Sequence, residues 1–490
     1  MRATMNQKEA RHLLGQIFAL RFPRSWDQID LNRFPVANYI IFRDAFEPSF
    51  EASRRRIHEA RDLLRGHDIG ALFMMDEEGG RVTQISEFFP SAPSPRAIAR
   101  SLTPVEAGAF YAQLAAYLAY LGININLAPC LDVNTEVLNP VIGTRSLGTY
   151  PEQVAAFAHF IVPAMQKSVA CVAKHFPGHG MTRLDSHVAL PTVDEPRQTL
   201  EAAHVAPFRE AIKARVDGIM VSHCVYTCLQ TDNLPASLSR QVVIGYLREF
   251  LGFQGAVFTD SLDMRAVTET VPPEEAARLA FEAGCDILLY TEFSERFAAA
   301  FDALVEMLAT GRLSEQLAWL AVNRRSRIPM RLVAETAENA LSPSGKRHQA
   351  FDEDIYRDLL DKARMGSVRI DKGQDKIPLS SKDAILLATP AAVTARLRTH
   401  VPSLREISEG ENPTGKTLLL WLMEPLVLRQ SLGDLRQLIS RARTSILVTT
   451  YDAIADQLQD ADVRIISDDS GPFAEDMLVK LVFKSQSGQT

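Results

Sequence analysis

VACVAKHF at residues 169–176, GIMVSH at 218–223 and GAVFTD at 255–260 share one pattern: an apolar run followed by Lys174 and His175, by His223, and by Asp260. Continuous rather than alternating hydrophobicity marks a strand covered on both faces, as in a parallel sheet. Five more runs of this kind occur: IFALRF from Ile17, NYIIFR from Asn38, ALFMMD from Ala71, ININLAP from Ile123 and DILLY from Asp286. Between most of them lie stretches with apolar residues three and four apart, the period of an amphipathic helix. Eight strands interleaved with helices predict an α/β fold of the closed (β/α)8 TIM-barrel type, with a doubly wound open sheet as the competing architecture.

The barrel expectation carries a claim about chemistry, because such barrels place their reactive groups at the carboxy-terminal ends of the strands. Asp76, Asp132, Lys174 with His175, His223 and Asp260 stand at those ends. A single charged residue there marks only the point where a chain surfaces. Five strand ends converging on one rim mark a site.

At 490 residues, with 46% hydrophobic and 23% charged, the chain is long enough for one large domain and a smaller one. Residues 1–340 are expected to form the barrel and 341–379 a polar linker with a helix near 352–365. Residues 380–490 are expected to form a C-terminal α/β sandwich domain built on DAILLATP, TLLLWLME, SILVTTYD and VRIISDD. A net charge of −7 supplies no basic footprint for nucleic acid or an anionic membrane, and points to a small neutral or polar substrate. MRATMNQKEARHLLGQIFAL scatters charge where a signal peptide needs an apolar core, so a cytoplasmic location is expected, and no run reaches membrane-spanning length. The five cysteines sit mostly in apolar runs and read as buried, reduced thiols. Cys224 and Cys228 lack the second pair a structural zinc site needs, and no metal or cofactor is expected.

The densest motif is KHFPGHGMTRLDSH, residues 174–187. Pro177, Gly178 and Gly180 forbid the helix that would align His175 and His179 as zinc-protease ligands, and no Glu follows the first His. Spacing alone leaves open a different metal hydrolase using His175, His179, Asp185 and His187. It also allows a loop in which Asp185 orients His187 and tunes it for proton transfer.

KHFPGHG with the following DSH, DEEGGRV at residues 76–82, NPVIGTRSLG at 139–148 and VFTDSLDM at 257–264 together resemble the β-N-acetylhexosaminidase branch of glycoside hydrolase family 3. The four motifs occur in the family's order from about residue 13 to 331. The resemblance implies that Asp260 is the nucleophile of a retaining β-N-acetylglucosaminidase and that His187, supported by Asp185, is its acid/base. It implies that Asp76, Arg145, Lys174 and His175 bind the sugar, whereas Glu77 and Glu78 look structural. Asp263 reads as a cap of the next helix. Three residues depart from the family pattern: Met181, Ser261, and Gln84 where an arginine often stands. The implied partner is a small carbohydrate or muropeptide from cell-wall recycling, with a β-glucosidase, a phosphorolytic variant or a non-catalytic sugar-binding protein as alternatives.

Overall fold

The computed structural model describes residues 5–136, 139–182, 190–328 and 351–372, and further on 385–388, 405–406, 417–422, 437, 439–442, 444–450, 458–468, 478 and 482. Each apolar run forms a strand: β1 (Phe18–Arg21), β2 (Asn38–Ile40), β3 (Leu72–Met75), β4 (Ile125–Asn126), β5 (Ala170–Phe176), β6 (Gly218–Val221), β7 (Ala256–Thr259) and β8 (Leu288–Leu289). They pair in parallel, in the order β8, β1, β2, β3, β4, β5, β6, β7. A parallel bridge from Phe258 of β7 to Ile287, next to β8, joins the two ends of that order and closes the barrel.

Burial on two sides explains the unbroken runs. Ile40, Met74, Ile125, Val172, Met220, Phe258 and Leu289 cluster in the barrel interior. Their neighbours Leu20, Tyr39, Phe73, Cys171, Ile219 and Val257 belong to a second core shared with the surrounding helices. Strand side chains alternate between those two layers, and both are apolar.

The helices start where local chemistry satisfies their free amides. Ser49 caps Phe50–Gly66, and Thr103 with Glu106 forms a capping box on Pro104–Leu121. That second helix ends at Gly122, whose φ of 108° is left-handed and turns the chain into β4. Between β1 and β2 only a short 3-10 turn, Trp26–Gln28, replaces the usual helix.

Beyond the barrel, Glu353–Met365, capped by Asp352, packs on the helices Pro95–Ser101 and Pro104–Leu121. A separate six-stranded sheet follows. Its strands Ile385–Ala388, Thr417–Leu422, Thr444–Thr449 and Val463–Ser467 coincide with the four expected runs, and Val368–Lys372 adds an antiparallel edge. All five cysteines are free thiols, and only Cys228 is partly exposed.

Candidate active site

A cavity of about 600 Å³ opens where β2, β3, β5, β7 and β8 end. Asp76, Glu78, Arg145, Lys174, His175, His179 and Asp260 all line it. Asp76, Arg145, Lys174, His175 and Asp260, expected at the site from sequence, therefore share one space. Asp185 and His187 lie outside the described residues.

Strand alternation aims Lys174. Ala170 and Val172 belong to the barrel interior, so the residue two further on reaches the same side at the barrel mouth. Its Nζ lies 2.5 Å from Asp76 Oδ1 and 2.6 Å from Glu78 Oε1. The register of β5 against β6 shifts between Ala173 and Phe176, and His175 also lines the cavity.

Glu78 is the hub of the charged floor. Its carboxylate accepts from Arg145 Nε at 2.9 Å and Nη2 at 2.8 Å, in addition to Lys174. Burial opposes ionisation, but the two cations outweigh it and hold the carboxyl well below the usual range. Asp76 and Glu78 push Lys174, and Glu78 pushes Arg145, above their ordinary values against the cost of burial. Glu78 thus departs from its structural reading: it lines the cavity and fixes two of the expected sugar-binding groups.

Glu77, one residue earlier, has a different fate. Its main chain pairs with the Asn126 side chain at 3.0 and 2.9 Å, and its Oε2 accepts from the Gln84 N–H at 2.7 Å. Among the described residues no cation is bonded to it, and burial pushes its carboxyl up to about 7.

Asp132 organises the histidines from behind the cavity. Its Oδ2 lies 2.6 Å from His175 Nδ1 and accepts the His175 N–H at 3.1 Å, while Oδ1 accepts the His179 N–H at 2.6 Å. Burial would raise its carboxyl, but His175 and the His179 amide bring it down to about 2. Arg145 Nη2 stands 3.2 Å from His175 Nε2. A guanidinium can only donate, so Nε2 accepts and Nδ1 carries the proton donated to Asp132. Burial lowers His179 to about 4, leaving that ring neutral at pH 7.

Cys130, Asp132 and His175 place three potential metal-ligand atoms within 4.8 Å. The Nδ1 to Oδ2 distance is that of a hydrogen bond, and Cys130 Sγ lies 3.2 Å from the same carboxylate oxygen. Burial raises that thiol well above its usual value. The group is a hydrogen-bonded triad.

The motif loops interlock. Asn139 Nδ2 donates to His179 O at 2.8 Å, while its Oδ1 accepts the amides of Val141 and Ile142 at 2.9 and 2.7 Å. Gly180 must lack a side chain, since a Cβ there would stand 1.9 Å from Val133 O.

Around Asp260, the Ser261 N–H donates to Oδ1 at 2.7 Å. His223 is fully buried, outside the cavity, and braces this turn between Ser237 Oγ at 2.7 Å and Ser261 O at 2.9 Å. Asp263 is not a helix cap. Its Oδ2 accepts the Thr291 N–H at 2.8 Å and so ties the β7 and β8 loops, while Arg265–Thr268 begins with no side-chain cap. Gln84, at the position of the expected arginine, accepts from the Arg43 N–H at 3.0 Å and donates to Asp76 O at 3.3 Å.

Residues 15–328 match the sequence profile of the glycosyl hydrolase family 3 N-terminal domain. The chain belongs to glycosyl hydrolase family 3. Within it, a β-hexosaminidase of Alkalilimnicola ehrlichii is 38% identical over 271 residues, 54% of this chain and 76% of its own. A β-hexosaminidase of Methylococcus capsulatus is 34% identical over 319 residues, covering 64% of this chain and 92% of its own. A family 3 β-N-acetylglucosaminidase from Paenibacillus sp. str. FPU-7 superposes with a TM-score of 0.77 at 25% identity, over 97% of this chain and 98% of that one. The family match ends at 328, so it takes in the barrel and every cavity residue named above, and the Paenibacillus structure spans the C-terminal sheet as well.

Proposed function

We propose that the chain is a retaining β-N-acetylglucosaminidase that releases terminal β-linked N-acetylglucosamine. The observation that carries this is the placement of Asp260 at the end of β7, in one cavity with Asp76, Lys174, Arg145 and His175. The β-hexosaminidase relatives supply the sugar class.

Retention requires a carboxylate that attacks the anomeric carbon and a second group that first protonates the leaving oxygen and then takes a proton from water. Asp260 is assigned the first role, and His187, oriented by Asp185, the second. The support for His187 is its place in the motif, eight residues after His179, which lines the cavity. A histidine titrates near neutrality and can serve both half-reactions. Asp76, Lys174, Arg145 and His175 are assigned to the sugar's hydroxyl and N-acetyl groups. In the same proposal, residues 1–340 form the catalytic domain and 380–490 an accessory one. The substrates are cell-wall fragments handled in the cytoplasm. Among the described residues no helix is long and apolar enough to cross a membrane.

The test is release of p-nitrophenol from the β-GlcNAc and β-glucose substrates, with and without phosphate. Turnover of the GlcNAc substrate that is independent of phosphate is expected. Glucosidase activity without hexosaminidase activity, or a strict phosphate requirement, overturns the proposal.

A further inference from the structure

The C-terminal sheet meets the barrel beside the loop that carries Arg145. On the barrel side the contact is made by the helix Pro95–Ser101 and its cap. Ser94 Oγ donates to Asp468 O at 2.5 Å, and Arg100 Nε lies 3.0 Å from Asp468 Oδ1. Asp468 directly follows the strand Val463–Ser467, and its side chain is only 4% exposed, so this is a packed contact.

Arg96 reaches in two directions from the same helix. Its Nη1 donates to Thr450 O at 3.2 Å, just past the strand Thr444–Thr449. Its Nη2 donates to Gly143 O at 3.0 Å. Gly143 opens the 3-10 turn Gly143–Arg145, and the third residue of that turn grips Glu78 and lines the cavity. One planar guanidinium therefore bridges a backbone carbonyl of the second domain and the turn that aims a cavity arginine. Arg96 itself does not line the cavity.

We propose that Arg96 is a positioning residue that couples the docked C-terminal domain to Arg145, making that domain part of the glycoside-binding apparatus. The inference rests on Arg145 binding substrate, as proposed above. A guanidinium holds two carbonyls at a fixed separation through donors on different nitrogens of a rigid plane, whereas a lysine, as a compact charge on a flexible stem, does not fix that geometry. Losing the bridge leaves the cavity's charges in place and loosens the turn beneath Arg145, so the effect falls on substrate affinity.

The test uses full-length Arg96→Met, Arg96→Lys, Arg145→Lys and the Arg96→Met/Arg145→Lys double variant. Folding is checked by circular dichroism, and KM and kcat are measured on p-nitrophenyl β-GlcNAc. Arg96→Met is expected to raise KM about tenfold, the scale of one lost charge-assisted hydrogen bond, with kcat little changed. Arg96→Lys is expected to fall between it and the wild type. The double variant is expected to be no worse than Arg145→Lys alone, because the two residues act through one turn. If Arg96→Met does not fold, Arg96→Lys carries the same criterion. An unchanged KM in the Arg96 variants while Arg145→Lys raises it, or fully additive effects, overturns the inference alone. An inert wild type, or an Arg145→Lys variant with wild-type KM, overturns the functional proposal beneath it.

Discussion

Replacing Glu78 with Gln probes the charged floor of the cavity directly. The carboxylate accepts from Arg145 at 2.9 and 2.8 Å and from Lys174 at 2.6 Å, with its side chain 0% exposed. Glutamine keeps the shape but offers one acceptor oxygen and turns an NH₂ group toward a cation. Removing one partner of a buried ion pair costs about 3–5 kcal/mol. At an unfolding entropy of ~2.1 cal/mol/K per residue, a barrel of roughly 310 residues loses about 4–8 °C in Tm. The pH dependence has a definite sign. Glu78 is depressed below its unfolded value, so its contribution is fully present above pH ~4.5 and is lost as pH falls further. Thermal unfolding of wild type and variant at pH 7 and pH 4 is the assay. The gap in Tm is expected to be large at pH 7 and smaller at pH 4, and KM is expected to rise at pH 7. A gap under about 1 °C at pH 7, or one that widens in acid, would show that Glu78 does not stabilise the site as an ion.

Glu77→Gln should act in the opposite direction. Burial raises Glu77 to about 7, so ionising it costs nothing below pH ~4.5 and up to about 3 kcal/mol above pH 7. The variant is expected to be more stable than wild type at pH 8 and equal to it at pH 4.5, read by the same thermal scans; equal stability at both would count against an ionised buried carboxylate. Asp132→Asn turns a donor toward either His175 Nδ1 or the His179 amide, and should lower kcat/KM roughly 10- to 100-fold, the scale of one unsatisfied buried donor. Steady-state kinetics on the GlcNAc substrate checks it, and wild-type kcat/KM would remove Asp132 from the site. Gly180→Ala forces a Cβ against Val133 O and should cost about 1–3 kcal/mol while displacing the histidine loop, visible as a lower Tm together with a higher KM.

The barrel was legible because its signal is local and repeated. Each of eight runs encodes burial on two faces, and each became a strand. Lys174 was legible for the same reason, since period two from Ala170 and Val172 directs it to the barrel mouth. Glu78 was not, because Glu77 and Glu78 are chemically identical neighbours. What separates them is Arg145 and Lys174, brought from distant strand ends by the fold. Asp132 was visible as a strand-end acid, but its grip on His175 and His179 depends on the shifted end of β5. Asp263 misled as a helix cap because the amides it binds, at Thr291 and Glu292, belong to the next strand's loop. The role of Arg96 required a second domain to be in place.

Covalent trapping tests the central claim most directly. A 5-fluoro derivative of N-acetylglucosamine with an activated leaving group slows release of the glycosyl-enzyme, and mass spectrometry of the digested protein then locates the label. The account predicts one sugar added per chain, placed by peptide fragmentation on Asp260 itself rather than on Asp263 of the same peptide, and no label in Asp260→Ala. A label on another carboxylate, Asp263 or Glu292 for example, or turnover with no covalent intermediate, would contradict it.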